Sequence, residues 1–467
     1  MNTISLRYIL GASLVFTLIC AFFSLGFHHP DEQYYAIDFA LYKLGVLGEL
    51  DSWEYDTELR PWSLPLLFMP FLKLGSIFDF SPFTNATILR FLSGIWSWSV
   101  FSYFCIRIKD RFKSESIFLW FAFFLHLSFF SKFMQVRTTS ENWATGLILL
   151  FYLGVIKENK SVRDLVSIGV LGALSFILRH QMGFMVFGGG MWLLMTKKVH
   201  IKKWIVFFVF PMTAIIGLSF LIDSWGYEHM SFSPWNYFYQ NIYLGKVNDF
   251  SRDPVYAYLK WAIVKLGLLG LFSIIGLIYH LKNKRMSPEL WMVLPFLIIH
   301  HMISHKELRF LYPLFPLTFF MAFSALDDIQ TKIIWPSIKK VLIVFSSLNL
   351  VALIFICFKP AYTPVLFYKS LYDLNTKEVS YFSFTNKKPP NLELRYYLKE
   401  GTSVKMAGKD PSILKGTIFT NKYKELEYLL SKEDCELIFS TYPEWTFKFN
   451  IGNWLSRSNI WALSQCQ

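Results

Sequence analysis

The sequence predicts an all-α polytopic membrane protein of about 11 transmembrane helices, with a small extramembrane α/β domain at its C-terminus. Three observations lead there. Of the 467 residues, 54% are hydrophobic and only 17% charged, against roughly 45–50% and about 25% in soluble domains. The apolar residues fall in long uninterrupted runs, with Lys and Arg in short clusters between them. After residue 359 the long runs stop, and strand-like and helix-like segments alternate.

The first run, 4–27, carries one charge, Arg7, near its start. It is longer than the apolar core of a signal peptide and no small-residue cleavage site follows it, so it reads as a retained span. The basic loops are 107–113, 157–163, 197–203, 280–285 and 327–340. Cytoplasmic loops carry the Lys/Arg excess, which places all five inside, with Arg7. Eleven spans satisfy that placement: 6–26, 85–106, 115–132, 141–156, 164–179, 181–196, 204–222, 258–280, 287–304, 309–326 and 339–358. The apolar stretch 62–78, short and carrying Pro65 and Pro70, then stays outside as an interfacial segment. The chain divides into a membrane domain, 1–358, with outer loops 28–84 and 223–257, and an outer domain, 359–467. In the latter, 391–400 and 423–431 read as helices and 403–407 and 436–440 as strands.

The net charge of +13 does not indicate nucleic acid, because the cations are distributed as topology signals. Of the five cysteines, Cys20, Cys105 and Cys357 lie in apolar runs and none has metal-site spacing. Cys435 and Cys466 lie in the polar tail and can pair in an oxidising compartment.

Loop charge alone thus puts the chemically interesting segments on one face. The first opens with His28-His29-Pro30-Asp31-Glu32. Acids at the end of a span are costly unless paired, solvated or functional. A helix start accounts for part of them, since Pro30 suits the first turn and the dipole favours Asp31 and Glu32. A carboxylate anchored there is also well placed to take a proton from a bound hydroxyl. Trp53 and Glu54 follow, then Arg60, a cation on the face that topology depletes of cations. In 137–142, Ser140 reads as an N-cap with Glu141 in the first turn, which leaves Arg137 unexplained. Arg179 sits at a helix C-terminus, where a cation is favourable anyway. The loop 223–257 carries Trp225, Trp235 and Asn236 in a dense aromatic and amide surface. Such a surface grips sugars and equally anchors a loop at headgroups. His305, Lys306 and Arg309 form a second group of misplaced cations, for which a phosphate is the natural partner.

These segments, in this order, resemble glycosyltransferase family 22, which has the GT-C fold and includes the GPI mannosyltransferases and the dolichyl-phosphate-mannose-dependent mannosyltransferases of N-glycan assembly. The resemblance covers roughly residues 25–325 and departs where Leu308 stands in place of a usual acid. It implies an outer or lumenal active site, a dolichyl- or polyprenyl-phosphate sugar donor, inversion at the anomeric carbon, and no metal or other cofactor. On that reading Asp31 is the general base and Glu32 a positioning residue. His305, Lys306, Arg309, Arg137 and Arg60 hold the donor phosphate. Trp225, Trp235, Asn236, Trp53 and Glu54 contact the acceptor, a lipid-linked glycan or glycolipid. The membrane is a bacterial inner membrane or the endoplasmic reticulum. The alternative is a transporter or flippase of lipid-linked sugars, which would need ionisable residues deep within the spans.

Overall fold

In a computed structural model the chain is described over residues 3–50, 52–330, 335–385, 394–399, 401–407, 415–432 and 434–467. It divides into two compact units. One comprises residues 1–23, 29–78 and 88–358; the other comprises residues 24–28, 79–87 and 359–467.

The first unit is helical and inverted relative to a soluble protein. Trp335–Phe358 exposes Val344, Leu348, Val351 and Phe355, and Phe210–Tyr227 exposes Phe210, Leu218 and Leu221. Ser13, Thr17, Lys132 and Gln135 are wholly buried meanwhile, with the Lys132 ammonium donating to the other three. Apolar surface outside and satisfied polar groups inside suit a hydrocarbon solvent. Among the described residues four segments are long and apolar enough to cross a membrane: Leu6–Phe23, Ile201–Tyr227, Leu308–Ile329 and Trp335–Phe358. A fifth arises if a bent pair is one span. Several other expected spans, such as Ser140–Ile156 and Met182–Met195, are shorter helices.

Local chemistry sets the breaks. The run 115–132 is not one helix, because Ser128 leaves the helical conformation and caps Phe129–Gln135 by accepting from Ser131 N, bending the pair by 50°. The run 258–280 is divided at Gly267, whose φ of +56° favours glycine. Ser140 is not the N-cap of Ser140–Ile156. Thr139 is, accepting from Asn142 N, and this leaves the Ser140 hydroxyl available to Arg179. Stretch 62–78 forms a 15-residue helix, Ser63–Ile77, that packs on Glu32–Ile37 and Asp38–Lys43.

The second unit is a five-stranded sheet with helices Pro364–Leu374 and Tyr423–Leu430. The strands are β1 (Glu378–Tyr381), β2 (Ser403–Met406), β3 (Gly416–Thr420), β4 (Cys435–Ser440) and β5 (Ala462–Cys466), in the order β2-β1-β3-β5-β4. The first three neighbours are parallel, and β5 is antiparallel to both β3 and β4. Cys435 and Cys466 face each other in register and are joined by a disulfide. Of the helix expected at 391–400, residues 391–393 and 400 lie outside the described residues, and Arg395–Tyr397 is a single 3-10 turn.

Candidate active site

All residues of the cluster around Asp31 belong to the first unit. At the start of the first outer loop the backbone N–H groups of Glu32 and Gln33 donate to His29 O and Pro30 O. This turn begins the π-helix Glu32–Ile37 and sends the side chains of Asp31 and Glu32 to different partners. Asp31 Oδ2 accepts from Arg60 Nη2 at 2.9 Å and from Arg309 Nη1 at 3.0 Å, while Oδ1 lies 3.0 Å from His29 Nδ1. Glu32 is buried and accepts from the backbone N–H and hydroxyl of Thr138 at 3.2 and 3.3 Å. It therefore ties the first loop to the segment before Ser140–Ile156, a positioning contact.

Two arginines frame Asp31, and each is fixed by further acids. Arg60 grips Glu54 bidentately, at 2.9 Å from Nε and 2.6 Å from Nη2, and lies over the Tyr35 ring. Its backbone carbonyl accepts from Tyr227 OH at 2.7 Å. Arg309 donates from Nε to Glu307 at 2.6 Å and from Nη1 to Glu141 at 2.9 Å as well as to Asp31. Glu141 also pairs with Arg179 at 3.1 Å, and both guanidiniums lie over the Phe310 ring, at 5.1 and 5.0 Å. The cations expected to await a phosphate are thus largely neutralised by carboxylates.

Burial pushes the Asp31 carboxyl up, but Arg309, Arg60 and His29 outweigh it and hold it well below the usual carboxylate range. Burial pulls His29 down, yet its bonds to Asp31 and Glu307 dominate and raise it to about 9. Burial would also raise Glu307; His29, His305 and Arg309 keep it low instead.

The predicted residues separate into three groups. Asp31, Arg60, Glu54 and Arg309 converge directly, and His305 joins them through Glu307 Oε1 at 2.9 Å. Lys306 is buried and turned aside. Its ammonium donates to the backbone carbonyls of Ile303 and Asp253 and, among the described residues, has no carboxylate at ion-pair distance. Arg137 is fully buried over the Phe133 ring at 4.8 Å, and it is its neighbour Thr138 that reaches Glu32.

The proposed acceptor residues are spread around the outer loops. Trp225 meets Trp62 edge-on at 5.9 Å under Lys43, Trp235 packs on Phe238, and Asn236 donates to Glu58 and Ser231. Trp225 and Trp235 are 45% and 60% exposed and carry no hydrogen bond or ion pair into the Asp31 cluster among the described residues. Trp53 is closer in effect, since a series of rings runs from it through Phe250 and His305 to Phe310. Asp223 holds this region together by accepting from Trp62 N, Ser233 N and Ser233 Oγ at 3.0, 3.0 and 2.6 Å.

Sequence reasoning missed His29, Glu141, Arg179 and Glu307 as members of the site. Glu141 and Arg179 were each explained by a helix end, which concealed that they pair with one another. Among the described residues no three or more His, Cys, Asp and Glu are grouped as a metal site.

The Alg9-like mannosyltransferase family matches this chain over residues 8–393. The chain belongs to that family. Among curated relatives it is 26% identical over 290 residues to the Dol-P-Man:Man(7)GlcNAc(2)-PP-Dol alpha-1,6-mannosyltransferase of Arabidopsis thaliana, covering 60% of this chain and 56% of that protein. It is 26% identical over 314 residues to the GPI alpha-1,2-mannosyltransferase 3 of Danio rerio, covering 64% and 55%. The chain spans little more than half the length of these relatives. Among solved structures it is similar to ArnT from Cupriavidus metallidurans bound to undecaprenyl phosphate, with a TM-score of 0.60 and 10% identity over 99% of this chain and 98% of that one. That likeness shows the fold: a GT-C membrane protein with a small C-terminal α/β domain.

Proposed function

We propose that this protein transfers a sugar, mannose by the usage of its family, from a polyprenyl- or dolichyl-phosphate donor to a hydroxyl of a lipid-linked glycan or glycolipid. The observation that carries the reading is a buried carboxylate, Asp31, held between Arg60 and Arg309 where the outer loops meet. The donor class is supported by the GT-C likeness to a structure that holds undecaprenyl phosphate and by the dolichol-linked chemistry named for the relatives.

The geometry suits an inverting displacement. Asp31 removes the acceptor proton as the hydroxyl oxygen attacks the anomeric carbon, and the lipid phosphate departs on the opposite side. Two guanidiniums on one carboxylate oxygen make Asp31 a weak base at rest. A bound phosphate competes for them, so an arginine that turns to the leaving group stabilises its charge and frees Asp31 at once. Arg60, Arg309 and Lys306 are the residues assigned to that task, with Arg179 beside them. Trp53, Glu54, Trp225, Trp235 and Asn236 are the residues assigned to the acceptor. No metal is assigned to the chemistry.

The site belongs on the non-cytoplasmic face, periplasmic in a bacterial inner membrane or lumenal in the endoplasmic reticulum. The basic loops and the Cys435–Cys466 disulfide both support that side. The test is direct. Purified protein is supplied with radiolabelled dolichyl-phosphate mannose or undecaprenyl-phosphate mannose and a total lipid extract as acceptor. Label entering new glycolipids supports the reading, and donor left intact under all conditions removes it.

A further inference from the structure

The reaction releases a proton that has to leave a buried site. The acceptor O–H bond breaks, its oxygen bonds to the anomeric carbon, and the bond from that carbon to the phosphate oxygen breaks with its electron pair staying on the phosphate. The donor, a phosphodiester monoanion, becomes a phosphate monoester whose second ionisation lies at about pH 6. At neutral pH the leaving lipid is therefore mostly a dianion, and one proton per turnover is set free at Asp31.

A continuous line of titratable and hydroxyl groups leads away from that carboxylate. Asp31 Oδ1 lies 3.0 Å from His29 Nδ1. His29 Nε2 lies 3.4 Å from Glu307 Oε2, and Glu307 Oε1 lies 2.9 Å from His305 Nε2. His305 Nδ1 lies 2.8 Å from Ser251 Oγ, which donates to Asp253 Oδ2 at 2.7 Å. Ser251 and Asp253 are half-buried on a segment whose Arg252 is exposed. The line runs from the buried floor of the site to the edge of an outer loop. Asp253 N donates to Ser304 O at 2.9 Å, which anchors the far end.

We propose that His29, Glu307 and His305 are the proton exit of this site, passing one proton toward Ser251 and Asp253 for each one that Asp31 receives. The inference rests on Asp31 being the base. Each nitrogen of His29 faces both a donor and an acceptor. Nδ1 meets Asp31 N–H at 3.2 Å as well as Asp31 Oδ1, and Nε2 meets Arg309 Nη2 at 3.2 Å as well as Glu307. The ring keeps partners in either tautomer and in the cation, which a relay requires. The proton that enters and the one that leaves need not be the same. Protonating Asp31 removes the charge that keeps His29 cationic, so His29 sheds a proton to Glu307, and Glu307 to His305. Glu32, which accepts from His29 N, and Arg309 complete the charged surroundings of His29. All are positioning residues here, acting on substrate through Asp31.

His305→Ala and His305→Gln test this in the transfer assay. Loss of a proton-transfer group at the low end of its usual worth slows turnover about tenfold or more, with donor KM unchanged. Imidazole added to His305→Ala restores turnover in proportion to its free-base concentration. His305→Gln fills the space and stays slow, unless small buffer bases accelerate it, which also supports a relay. Parental turnover in either variant overturns the proposal, as does slowed turnover in His305→Ala that imidazole leaves untouched. If His305→Ala does not fold, His305→Gln decides alone: parental turnover, or a slow rate indifferent to buffer bases, refutes the exit. Asp31→Asn separates the two claims. Transfer within a few-fold of parental there removes the base itself, whereas transfer lowered about 10²-fold or more in Asp31→Asn beside an unrescued His305→Ala removes only the exit.

Discussion

Replacing Arg309 with alanine tests whether the cation cluster is first of all a brace. Arg309 is 5% exposed and its guanidinium meets Asp31, Glu141, Glu307 and His29. Removing it leaves three carboxylates close together with one fewer guanidinium among them. Breaking one buried ion pair by deleting a partner costs about 3–5 kcal/mol, because the remaining charge stays uncompensated. Protonation of one acid, or Arg60 and Arg179 shifting toward the gap, offsets part of that. At a few degrees per kcal/mol the midpoint of thermal unfolding in detergent falls by about 5–10 °C. Arg309→Lys recovers little, since one ammonium cannot reproduce a fork of donors. The assay is thermal unfolding of purified protein beside the donor KM. Parental unfolding of Arg309→Ala with only donor affinity lost would refute the bracing account and return Arg309 to the role of an idle phosphate ligand.

Lys306→Ala behaves differently, because its ammonium is held by backbone carbonyls and not by carboxylates. Its fold is kept while donor KM rises about tenfold or more, read in the same assay; an unchanged KM moves the phosphate site elsewhere. His29 predicts a pH dependence of stability. Its ionisation rises from 6.5 to about 9 on folding, so the stability it confers is complete below pH 6.5 and is lost as pH rises through about 9. The loss amounts to at most about 3 kcal/mol. His29→Gln flattens unfolding temperature against pH over that window. Gly226→Ala places a methyl group 2.1 Å from Trp62 Cγ; overpacking costs about 1–3 kcal/mol, read as a lower unfolding temperature of the purified protein.

How much of this was legible follows from the kind of signal each residue gave. Asp31, Arg60 and Arg309 stood out because a charge beside an apolar run is costly unless paired, solvated or functional, and the structure joins them within one cluster. Glu32 was expected to be a positioning residue; its carboxylate accepts from Thr138 while Asp31 meets the two arginines. Glu141 and Arg179 had adequate local explanations, so nothing in the sequence announced a pair 38 residues apart in the chain. Arg137 had no local explanation and was assigned to the phosphate, yet it lies over Phe133. In the tail, 403–407 and 436–440 read as strands and β2 and β4 stand there, whereas β1, β3 and β5 were not read from the sequence. The break at Gly267 lay inside a run read as one span, since one positive φ interrupts a helix without changing composition.

The central claim is that Asp31 is the base of a sugar transfer from a polyprenyl-type phosphate. Asp31→Asn keeps the shape of the side chain and removes its proton affinity. Measured with radiolabelled dolichyl-phosphate mannose and lipid acceptors, the account predicts turnover reduced by about 10² or more, with the protein folded and the donor still bound. Turnover within a few-fold of parental would contradict it.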